Sequence, residues 1–130
     1  MIVVDTSVWV EAAHQPRIRA VLSALIDADE VTLALPVRLE LLAGVPRRSR
    51  ASFHLTFSAL PQLLPSEDTW QPLHEWIERA ADAGERFSIP DLLIASLAAE
   101  IGGLVWSLDK DFERMEHLGL VSLYAPSSIS

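Results

Sequence analysis

Four acidic residues stand where metal chemistry could be built. Asp5 closes the β-branched run Ile2-Val3-Val4, and Asp109 follows the apolar run Leu104–Leu108. Asp91 comes directly after Pro90, in what reads as the first turn of a helix, and Glu40 lies between Leu39 and Leu41 in a leucine-rich segment. In open parallel sheets, ligands bind beyond the carboxyl ends of the strands, where the strand order reverses. Each of these four segments can reach one such end. Acids meeting there would repel one another unless cations were bound. Hard oxygen donors suit Mg²⁺ or Mn²⁺, which also bind phosphate oxygens. Cations so held make water reactive near neutral pH and clamp a phosphate against it.

Every one of these acids also has an ordinary structural reading. Asp5 and Asp109 are good helix caps. Asp91 in a first helical turn is electrostatically favourable without any chemistry. Glu40 could be the solvated edge of a short helix. Only the joint placement favours a metal cluster. Asp111, Ser107 and Thr6 are further candidates, as an additional acid or as hydroxyls that orient the carboxylates. For Ser7, local capping of the backbone is the expected role.

The elements that must position these groups follow from pattern. Strands are expected at Ile2–Val4, Val31–Leu35, Leu104–Leu108 and Leu120–Leu123, with a short one at Leu63-Leu64. Helices are expected at Val8–Ala13, Arg17–Asp29, Val37–Ala43, from Pro46 to about Leu60, Trp70–Ala83, Asp91–Ile101 and Asp109–His117. The tail APSSIS should fray. Strands alternating with helices make an α/β domain with a mainly parallel sheet.

Composition narrows the class. The chain has 130 residues, half of them hydrophobic, which suits one compact domain spanning 1–130. No apolar run approaches the roughly 20 residues that a membrane span requires, and the first ten residues read as a strand rather than a signal peptide. With no cysteine, disulfides and thiolate zinc sites are excluded, and a reducing cytoplasm is compatible. The net charge is −8. All of that excess lies from Ser66 onward, so the chain does not resemble a passive nucleic-acid binder with a basic face. Arg47, Arg48 and Arg50 form the one dense basic cluster and are the candidates for holding phosphates. His14, His54, His74 and His117 share no metal-ligand spacing.

Strand then Asp5-Thr6-Ser7, Pro36 to Glu40-Leu41, Pro90-Asp91-Leu92-Leu93-Ile94-Ala95 and Leu108-Asp109-Lys110-Asp111-Phe112 resemble, in order and spacing, the motifs of PIN-domain ribonucleases. The length and the near-immediate start resemble the VapC toxins of bacterial toxin–antitoxin pairs. The resemblance runs from Ile2 to about Leu123. It implies a three-layer α/β/α fold with a four- or five-stranded, mainly parallel sheet. It implies Mg²⁺- or Mn²⁺-dependent cleavage of RNA, with Asp5, Glu40, Asp91 and Asp109 as the catalytic acids and Asp5 and Asp91 as direct metal ligands. Ser107 matches a position usually held by Thr or Ser. Some members keep an acid only at the position of Asp111, so the resemblance leaves open whether Asp109 or Asp111 is the fourth acid. A homodimer and a VapB-like antitoxin are implied as well. Trp9, Val10, Leu39, Leu42, Phe53 and Phe57 are candidates for an apolar groove that would receive the antitoxin.

Two other classes compete. One is a PIN-like module that binds RNA or protein without cleaving, against which the four intact acids argue. The other is a different acidic-pocket α/β protein. An aspartyl-nucleophile phosphatase wants a second acid two residues after the first, where this chain has Ser7, and a phosphotransfer receiver leaves Glu40 unexplained.

Overall fold

The structure, a computed structural model, describes residues 1–126. The expected fraying of the final four residues falls outside them. In chain order the elements are β1 (Ile2–Val4), α1 (Thr6–Ala12), α2 (Pro16–Asp27), β2 (Val31–Ala34), α3 (Leu35–Ala43), a 3-10 turn (Arg47–Ser49), α4 (Arg50–Phe57), β3 (Gln62–Leu63), α5 (Glu67–Trp70), α6 (Leu73–Asp82), α7 (Ile89–Glu100), β4 (Leu104–Trp106) and α8 (Lys110–His117).

The strands form one parallel sheet in the order β3-β2-β1-β4. From β1 the chain moves outward to β2 and β3, then returns to place β4 on the other side of β1. The order therefore reverses between β1 and β4, which makes their carboxyl ends the natural crevice. Helices cover both faces, and this is why the strands read as continuous apolar runs. Val3 and Val105 point into one core with Val37, Ala80, Leu97 and Phe112. Ile2, Val4 and Trp106 point into the other, with Val8, Ile18 and Leu22. Helix α7 is buried along Leu92–Ala98 and packs on β1 and β4. Gly103 lets β4 start close beside β1, since a Cβ there would stand 2.9 Å from the carbonyl oxygen of Met1.

Helices α1, α3 and α7 each begin two residues before the expected start, and four further elements differ. The helix expected over Trp70–Ala83 is two helices, because Pro72 interrupts and the Ser66–Thr69 capping box starts a separate turn. Of the helix expected from Pro46 to about Leu60, Arg47–Ser49 is a 3-10 turn and the α-helix spans Arg50–Phe57. The last strand is reduced to a single parallel bridge between Leu123 and Val105. Strand β4 stops at Trp106, two residues early, because the N–H groups of Leu108 and Asp109 turn to serine hydroxyls instead of a neighbouring strand.

Candidate active site

Asp5 leaves the end of β1 with only 6% of its surface exposed. It occupies the N-cap position of α1, yet its side chain makes no cap bond. Its Oδ2 instead accepts the hydroxyls of Ser7, at 2.7 Å, and Ser107, at 2.8 Å. Those hydroxyls in turn accept the backbone N–H groups of Leu108 and Asp109, each at 3.0 Å. Each serine has one proton to give and gives it to Asp5, so the 3.3 Å separating the two Oγ atoms is contact rather than a donated bond. Ser7 thus fastens Asp5 to the chain after β4 and does not cap its own helix. Oδ1 of Asp5 accepts no hydrogen bond among the described residues.

Asp91 enters from α7. Ser88 caps that helix by accepting the Asp91 N–H at 3.2 Å. Burial pushes the Asp91 carboxyl up to about 6. The Ser88 hydroxyl opposes that rise, and the charges of Asp5, Asp109 and Glu40 add to it. Asp109 caps α8, its Oδ1 accepting the Asp111 N–H at 2.9 Å. The structure brings carboxylate oxygens of Asp91, Asp109 and Asp111 within 4.8 Å of one another. Asp5 falls outside that trio and is tied to it through Ser107 and the Asp109 backbone.

Glu40 is exposed on α3 and lines an open groove of about 490 Å³ with Thr6, Val10, Phe53 and Phe57. Oγ1 of Thr6 is buried and has no hydrogen-bond partner among the described residues. Of the residues expected to form an apolar groove, Val10, Phe53 and Phe57 do so. Leu39 and Leu42 border a separate hollow with Arg50 and His54, and Trp9 packs edge-on against Phe57 at 4.9 Å. Arg47 and Arg48 are exposed on the turn between Pro46 and Ser49, two residues that line the groove.

Three residues at the site, Ser88, Arg114 and Glu85, were not singled out by sequence reasoning. Ser88 carries a readable signal, since Ser-x-x-Asp ahead of an apolar run is a capping pattern. Arg114 stands three residues after Asp111, a spacing that pairs charges on a helix. It bonds Asp111 and places its Nε 3.3 Å from Glu85. That second partner is brought close by tertiary packing alone.

The donor set fits a hard divalent cation. Three carboxylates converge, and the carboxyl of one is raised by burial and by neighbouring acids. A bound cation would relieve that unfavourable charge.

A PIN domain family model matches residues 2–118. The chain belongs to the PIN-domain family. Comparison with curated proteins finds no match. Among solved structures, VapBC2 from Rickettsia felis, bound to a DNA fragment from its promoter, superposes with a TM-score of 0.78 at 20% identity, covering 95% of this chain and 98% of that one. VapBC-1 from nontypeable Haemophilus influenzae gives 0.75 at 18% identity over 95% and 97% of the two chains. VapC20 of Mycobacterium tuberculosis, a toxin that cleaves the sarcin-ricin loop, gives 0.67 at 20% identity over 97% and 100%. These likenesses establish that this PIN domain has the fold of VapC toxins. Among the described residues, no helix is long and apolar enough to cross a membrane.

Proposed function

We propose that this PIN domain is a metal-dependent ribonuclease, the toxic component of a toxin–antitoxin pair acting in the cytoplasm. The observation that carries the reading is the convergence of Asp91, Asp109 and Asp111, with Asp5 fastened beside them, where the strand order reverses. That is where an open parallel sheet binds ligands. PIN-family membership and the toxin relatives support the choice of reaction.

The catalytic acids are Asp5, Glu40, Asp91 and Asp109, with Asp5 and Asp91 as metal ligands. Mg²⁺ or Mn²⁺ held there would polarise the phosphodiester and make an attacking water more acidic. Ser7 and Ser107 hold the Asp5 carboxylate in one orientation, because both hydroxyls donate to its Oδ2. Asp5 is buried and Asp91 partly so, whereas Glu40 and Asp109 face the solvent from which substrate would arrive. Arg47, Arg48 and Arg50 would steer RNA phosphates to an otherwise acidic surface.

The groove lined by Thr6, Val10, Glu40, Phe53 and Phe57 suits an apolar segment of a VapB-like antitoxin. A basic side chain on that segment would compete for the acids. The active assembly is proposed to be a homodimer of the whole 130-residue chain.

Induced expression in a bacterial host tests the reading. Wild type should arrest growth and fragment a stable RNA, whereas Asp91→Asn at equal abundance should do neither. Arrest without RNA fragmentation would point instead to a PIN-like module that acts by binding.

A further inference from the structure

Three acids within 4.8 Å need a counter-charge, and among the described residues Arg114 is the cation that pairs with one of them, Asp111. Arg114 lies on α8, one turn after Asp111, and bonds Oδ1 of Asp111 through Nη2. Its Nε stands 3.3 Å from Oε2 of Glu85, in the segment that leads into α7. One guanidinium therefore joins the two elements whose first turns carry the acids. The planar fork allows this, because its Nε and Nη2 donors can serve two carboxylates at once.

The two neighbouring acids are left in different states. Both keep Oδ2 free of hydrogen bonds among the described residues, but the Oδ1 of Asp109 accepts a neutral backbone N–H in capping α8. Asp111 gives an oxygen to Arg114. A positive charge at that distance also lowers the attraction of the cluster for a second cation.

We propose that Arg114 is a positioning residue that holds Asp111 back from the divalent cation, leaving Asp109 to complete the cluster, with Glu85 anchoring the arginine in place. This inference rests on the metal-dependent reading above. It assigns the acid roles that spacing leaves open between Asp109 and Asp111. It also gives Arg114 an effect on metal affinity opposite in sign to that of an arginine that only braces the fold.

The test is Mn²⁺ titration of the full chain, with free Mn²⁺ followed by electron paramagnetic resonance and folding checked by thermal unfolding. Arg114→Gln should bind Mn²⁺ about three- to tenfold tighter than wild type, as expected when a partly exposed competing charge is removed. Arg114→Lys, which keeps the charge, should stay within about twofold of wild type. Asp111→Asn alone should also stay within about twofold, whereas added to Arg114→Gln it should abolish the gain. Unchanged or weaker binding in Arg114→Gln overturns the inference. So does a loss of more than about tenfold in Asp111→Asn alone, a result readable even if the arginine variant fails to fold. Folded wild type that binds no Mn²⁺ at millimolar concentration overturns the metal reading and this inference together. Mn²⁺ binding without the predicted gain overturns the inference alone.

Discussion

The hydroxyl of Ser107 donates to Oδ2 of Asp5 at 2.8 Å, joining the end of β4 to the end of β1. The bond spans the strands between which the sheet order reverses, so it holds the site together at its topological seam. A partner that orients a metal ligand typically contributes about 10- to 100-fold to metal affinity or activity. Ser107→Ala should therefore lower RNA cleavage by about tenfold or more while leaving the thermal midpoint nearly unchanged, and Ser107→Thr should restore it. Equal loss in both variants would mean that the hydroxyl is not what matters.

Asp91 predicts a pH dependence with a definite sign. Its carboxyl in the fold is raised to about 6, above the ordinary value of 3.8. Ionising it is therefore a cost to the metal-free fold that is absent at low pH, grows as pH rises from about 4 to about 6, and is complete above. Asp91→Asn should raise the thermal midpoint of metal-free protein at about pH 7.5, and the gain should vanish near pH 4. The gain should be modest, because solvent reaches the side chain and screens it. Cleavage by wild type should fall as pH drops through about 6, since protons then compete with the cation for Asp91, and more Mn²⁺ should move that midpoint lower.

The basic cluster should act through phosphates. Reversing the charge of Arg47, Arg48 and Arg50 together should weaken RNA binding across unrelated sequences. It should also flatten the salt dependence by about one unit of slope for each phosphate no longer held. Binding and slope that stay as in wild type would remove these residues from the RNA surface.

Helix α7 should govern stability as well as placement. Leu97 is fully buried in the core shared by β1 and β4. Leu97→Ala should cost about 2–5 kcal/mol in denaturant unfolding. Exposed Leu55, on α4, should tolerate alanine within about 0.5 kcal/mol.

Much of this was legible in the sequence where chemistry is local. A β-branched run ending in Asp5, a proline before Asp91 and an apolar run ahead of Asp109 each place an acid at an element boundary, and the boundaries alone bring them to one edge. Glu40 stood out as an acid flanked by Leu39, Leu41 and Leu42, and the structure places it exposed on α3, lining the groove with Thr6. The break at Pro72 could have been read from the proline, which removes a helical hydrogen bond, but the apolar spacing of Leu73, Trp76, Ile77 and Ala80 masked it. The role of Ser7 was not legible, because its hydroxyl serves Leu108, 101 positions away. The Arg114–Glu85 contact was hidden for the same reason. Sequence spacing reports neighbours on one helix, and this pair is made by the packing of two segments.

Whether these acids cleave RNA with a divalent cation is decided by digestion of a total-RNA pool. The isolated chain is incubated with Mg²⁺ or Mn²⁺, beside EDTA and a folded Asp5→Asn variant. Discrete fragments that disappear in both controls are the expected result. Intact RNA under every metal, from folded wild type free of antitoxin, would contradict a ribonuclease built on this cluster.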